Sequence, residues 1–130
     1  MERVSIATFY SNPNYLGLAG SDITAFQAES TWAVVHPEWY EENGSVSICN
    51  SFSMPQISNL FIEGHPTDIC SIPGSTICYV LSYLGEGMSR ITAINYFTGD
   101  VTGYVDIEGF PWDITSHANG EFVLALTSDI

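Results

Sequence analysis

The chain has 130 residues, with 2 Lys+Arg against 15 Asp+Glu and a formal net charge of -13; its two cations are Arg3 and Arg90. Nucleic acid and anionic membrane surfaces both demand positive charge to displace counterions, so neither is an expected partner. With 45% hydrophobic and only 13% charged residues, the chain is expected to fold rather than remain disordered.

The length suits one domain. Met1-Glu2-Arg3-Val4 has neither the basic start nor the apolar run of a secretory signal. No stretch approaches the roughly 18 apolar residues that cross a bilayer. Cys49, Cys70 and Cys78 form an odd set, which favours reduced thiols and a cytoplasmic location over a disulfide framework.

Helical periodicity is nearly absent. Short runs of Val, Ile, Thr, Tyr and Phe, broken by Gly, Pro, Asn and Asp, predict an all-β chain. A strand pair is expected over about 4–18, followed by a connection at Ala19-Gly20-Ser21-Asp22. Thr31–Val35 reads as a strand. His36–Ser45 reads as an exposed connection in which Asn43-Gly44 is a hairpin signal. Val46–Asn50 is the next strand, and Ile62–Thr67 a crossing that contains Gly64-His65-Pro66. A hairpin centred on Gly74 would set Cys70 opposite Cys78, with Ile77–Leu81 as its second strand. After a loop near 82–89, Ser89–Tyr96 and Val101–Ile107 are strands joined at Thr98-Gly99-Asp100. Glu108-Gly109-Phe110-Pro111 makes a second crossing. Trp112–Ser116 and Glu121–Thr127 form the last pair around Ala118-Asn119-Gly120.

These elements recur. Ile62-Glu63-Gly64-His65-Pro66-Thr67-Asp68-Ile69 and Ile107-Glu108-Gly109-Phe110-Pro111-Trp112-Asp113-Ile114 share Ile, Glu, Gly, Pro, Asp and Ile in the same places. Val46–Asn50 lies over Ile91–Asn95 in the same frame, and Ile77–Leu81 over Phe122–Leu126. Asp22-Ile23 and Thr31–Val35 give a fainter earlier copy. The pattern divides the chain into three repeats, about 4–45, 46–90 and 91–130, of four strands each.

Ile91-Thr92-Ala93-Ile94-Asn95, Thr98-Gly99-Asp100-Val101, Val105 to Ile114 and Asn119 to Leu124 together resemble one repeat of the YVTN class of β-propellers, which is WD40-like in architecture. The resemblance is strong over 46–127 and weak over 4–45, where the Gly-x-Pro crossing is missing. It implies a β-propeller fold and leaves function open. Propellers generally have four to eight blades, so three repeats are expected to close into a six-bladed ring as a homodimer, each copy completing the other's split blade, the other possibilities being a fragment of a longer propeller or a chain completed by a different protein. The alternative is a β-trefoil, which three repeats of this length also fit.

In such a ring the crossings and the connections near 36–45 and 82–89 share one face. Glu38, Glu41, Glu42, Glu63, Glu86 and Glu108 fall there, as do Trp39, Tyr40, His65, Phe110 and Trp112. Acids surrounding aromatic anchors suit a basic protein surface. Asp22, Asp68 and Asp113 occupy equivalent places near the channel. Clustered carboxylates there would bind a metal ion, or else each would accept backbone hydrogen bonds at its own crossing. No cofactor motif is present. His36, His65 and His117 are far apart in the repeat scheme, and Glu63 and Glu108 sit a blade apart, too far for glycoside cleavage. The expected function is therefore a non-enzymatic acidic module that captures a basic protein, including as an inhibitor. The alternatives are a lectin using Trp32, Trp39 and Trp112, and an enzyme using the channel carboxylates.

Overall fold

Short β-branched and aromatic runs separated by Gly, Pro and Asn turns become ten strands in the computed structural model, which describes residues 22–26, 31–50, 56–117 and 119–129. The strand pair expected over 4–18 lies outside these residues. β1 (Asp22–Phe26), β2 (Thr31–His36), β3 (Gly44–Asn50) and β4 (Gln56–Ile62) form one antiparallel sheet in chain order. β5 (His65–Ser71), β6 (Ile77–Gly85), β7 (Met88–Asn95) and β8 (Asp100–Glu108) form a second. β9 (Phe110–Ser116) and β10 (Val123–Ser128) make a two-stranded third.

The registers of the sheets match. Asp22 pairs with Val35, Asp68 with Leu81 and Asp113 with Leu126, so each aspartate has the same cross-strand position. The β-trefoil alternative needs hairpins closing a shared barrel. The described strands instead form three sheets with no ladder between them.

The sheets pack face to face. Ala33, Val35, Val46, Ile48 and Ile62 of the first sheet bury against Ile69, Cys78, Val80, Ile94 and Tyr96 of the second. On the other face of the second sheet, Cys70 and Leu81 bury against Ile114, with Val123 and Ala125 packed on them. The middle sheet is thus apolar on both faces, and its strands lack the polar alternation of a one-sided sheet.

The expected Cys70–Cys78 pairing is corrected. Cys70 pairs with Tyr79 and Cys78 with Ser71, because the turn is centred between Gly74 and Ser75. A shift of one residue reverses the side-chain faces, so Cys70 and Cys78 enter different cores, both as reduced cysteines. Burial, with Cys70 nearby, pushes the Cys78 thiol up to about 12. Only the thiolate reacts, so Cys78 should resist iodoacetamide at neutral pH in the native chain and react fully once unfolded. Peptide mass spectrometry of labelled native and denatured protein checks this.

Candidate binding face

The meander sends alternate connections to the same end of the sheets. The β2–β3, β4–β5, β6–β7 and β8–β9 connections lie at one end, with the end of β10. Among the described residues, Glu38, Glu41, Glu42, Glu63, Glu86, Glu108 and Asp129 fall at this end. Asp100 and Glu121 fall at the other. The loop near 82–89 is shorter than expected: β6 and β7 run on until only Glu86-Gly87 separates them, with Glu86 at φ 53.

Two crossings build the aromatic part of this face. At the first, the Gly64 amide donates to Asn43 Oδ1 (2.9 Å) and the Gly44 amide donates to the Gly64 carbonyl (2.8 Å). Asn43-Gly44 is therefore not the hairpin tip expected from its sequence. It is a clamp that starts β3 and holds the crossing. His65 Nδ1 then donates to the Pro37 carbonyl (2.8 Å), and its ring stacks on Trp39 with centroids 4.9 Å apart. At the second crossing, Phe110 takes the place of His65 and packs on Tyr83 at 5.0 Å, with Trp112 edge-on at 5.8 Å. Pro66 and Pro111 are fully buried beneath. Each crossing thus carries an aromatic pair, formed at the first with the β2–β3 connection and at the second with the end of β6. Trp39 and Tyr40 are exposed. His36, expected in the exposed connection, instead ends β2 fully buried, with Nε2 2.9 Å from Ser47 Oγ.

Glu63 is not a free carboxylate. Arg90 Nη1 donates to it at 2.7 Å while Nε and Nη2 hold Asp106 at 2.6 and 3.0 Å. The guanidinium also lies over the Tyr104 ring, 3.8 Å from its centroid. These partners raise the Arg90 pKa above its ordinary value and lower that of Asp106. Arg90 is the only Arg or Lys among the described residues, so Glu38, Glu41, Glu42, Glu86 and Glu108 have no such counter-charge there.

Asp68 accepts the Ile69 amide (3.0 Å) and, across the sheet interface, the Ile114 amide (2.6 Å). Asp113 hydrogen-bonds to Asp68, and that bond with the Asp68 charge raises the Asp113 pKa. The side chain of Asp22 lies outside the described residues, and among those described no group of three His, Cys, Asp or Glu is placed to hold a metal. An acid raised in the folded state stabilises below its unfolded pKa and loses that contribution as pH rises through the folded value. Asp113→Asn should therefore be more stable than the parent at pH 7, with the advantage fading as pH falls through the carboxylate range. Melting temperatures at pH 3 and pH 7 measure it.

Sequence reasoning missed Ser45, Phe61 and Arg90. Glu38, Glu41, Glu42, Asn43, Gly44, Ser45 and Phe61 line a cavity of about 420 Å³. The signal for it was hidden in the repeat frame. Ser45 pairs with Phe61 where Arg90 pairs with Asp106 in the next sheet.

No family model matches the chain, and no curated protein matches it either. Among solved structures it is similar to the hydrazine synthase of Kuenenia stuttgartiensis, with TM-score 0.72 and 13% identity over 84% of this chain and 29% of that one. It is also similar to the Dos1 propeller, with TM-score 0.67 and 12% identity over 88% of this chain and 31% of that one. The chain spans less than a third of either. The likeness shows an all-β fold resembling part of a β-propeller.

Proposed function

We propose that the chain is a non-enzymatic binding module whose acidic, aromatic loop face captures a basic protein surface, including as an inhibitor of such a protein. The carrying observation is the uneven charge. Seven described acids lie at the end that bears Trp39, Tyr40, His65, Phe110 and Trp112, and two at the other end. Exposed aromatic rings supply contact area and the acids supply steering and register. Reduced cysteines at positions 70 and 78 suit the reducing cytoplasm. The test is binding of immobilised chain to a panel of basic proteins at low and high salt. Binding that weakens steeply with salt supports the reading, and salt-independent binding or none contradicts it.

We further propose that a second copy completes the two-stranded sheet and closes a six-bladed ring. Leu124 and Leu126 on the outer side of β10 are 57% and 61% exposed, and Trp112 beside them 62%. A neighbouring sheet would cover them as β9 and β10 cover Leu81. A solution mass of twice 14.2 kDa is expected, and a monomer at all concentrations contradicts it.

A further inference from the structure

We infer that the cavity beneath the β2–β3 connection is a receptor for the guanidinium group of an arginine side chain on a partner protein. This rests on the proposed acidic face and names what one part of it holds.

Three observations converge on the cavity. Glu38, Glu41 and Glu42 line one side and have no Arg or Lys partner among the described residues. Phe61 lines another and is an apolar ring 81% exposed. Ser45 stands directly opposite Phe61 in the β3–β4 ladder, so both side chains leave the same face of the sheet. Ser45 is only 2% exposed, yet its Oγ has no hydrogen-bond partner among the described residues. A buried hydroxyl without a partner is costly, and a donor entering the cavity would satisfy it.

The second sheet shows what chemistry fits this place. At the equivalent rungs the pair is Arg90 and Asp106. There a guanidinium is gripped by the carboxylates of Asp106 and Glu63 and lies on the Tyr104 ring. The first sheet has Ser45 in place of the arginine and Phe61 in place of Asp106, and its cavity offers the same kinds of group from other positions, an aromatic ring and the carboxylates of Glu38, Glu41 and Glu42. An arginine from outside would supply the missing element. A metal ion suits the site less, because Glu38, Glu41 and Glu42 do not converge as a ligand set. A planar cation with five donors and a face that stacks on a ring uses spread carboxylates better than a compact ammonium does.

The test uses the full chain and two fluorescent Gly/Ser peptides, identical except that one carries arginines and the other lysines. Anisotropy gives their affinities. The arginine peptide should bind several-fold more tightly. Phe61→Ala should weaken it by roughly three- to thirtyfold while changing the lysine peptide little, and the double variant Glu41→Gln/Glu42→Gln should weaken both. All three positions are exposed, and circular dichroism confirms that the variants are folded. Equal affinities that Phe61→Ala leaves unchanged would overturn the arginine receptor while the acidic face stands. Absence of binding by either peptide would overturn both. Free arginine binding as tightly as the peptide would overturn the protein partner and make the cavity a small-molecule site.

Discussion

Gly64→Ala should lower the stability of the chain by about 2 to 4 kcal/mol, in a chemical denaturation series at neutral pH. Two separate costs add at this residue. Gly64 has φ +83, a conformation that L side chains rarely adopt, and a Cβ there would lie 2.5 Å from the Tyr83 carbonyl oxygen. That oxygen belongs to the backbone of β6 and cannot swing aside. The effect should also reach the proposed binding face. The Gly64 amide donates to Asn43 and the adjacent His65 donates to Pro37, so displacing the crossing loosens the Trp39 stack. A loss below about 0.5 kcal/mol would mean that the crossing is not held as described.

Leu81→Ala should cost about 2 to 5 kcal/mol, because Leu81 is fully buried between the second and third sheets and its truncation leaves a cavity. Leu126 makes the instructive comparison. It is also a leucine, and it pairs with Asp113 as Leu81 pairs with Asp68, but it is 61% exposed. Only the neighbouring sheet separates the two environments. Leu126→Ala therefore removes little packing within one chain. If a second copy covers β10, the Leu126→Ala loss appears only at protein concentrations where that copy is bound, whereas the Leu81→Ala loss appears at every concentration. Equal losses from both variants at high dilution would contradict the sheet order.

These cases show which parts of the molecule were legible in sequence. The crossings were legible because Gly64-His65-Pro66 and Gly109-Phe110-Pro111 repeat a demand that backbone geometry makes of residue type. The placement of Glu38, Glu41, Glu42, Glu86 and Glu108 at one end followed from strand alternation alone. The cysteine pairing was not legible. Its register turns on where a five-residue connection is centred, and neither Pro73 nor Gly74 decides that. Asn43-Gly44 misled because the same dipeptide that makes a tight hairpin also serves as a clamp when another strand end approaches. The Arg90 bridge was hidden because Glu63 reaches it from a crossing 27 residues earlier, a contact that exists only after two sheets pack. Ser45 and Phe61 are unremarkable in sequence and gain meaning only against the equivalent Arg90 and Asp106.

A paired neutralisation tests most directly whether binding is confined to the proposed face at one end of the sheets. One variant carries Glu38→Gln, Glu41→Gln, Glu42→Gln and Glu86→Gln. The other carries Asp100→Asn and Glu121→Gln at the opposite end, and both are measured against the same basic protein at low salt. The loop-face variant should lose affinity by about tenfold or more and lose most of its salt dependence, while the opposite-end variant stays near the parent. Losses that simply scale with the number of charges removed, irrespective of the end they occupy, would contradict a located binding face.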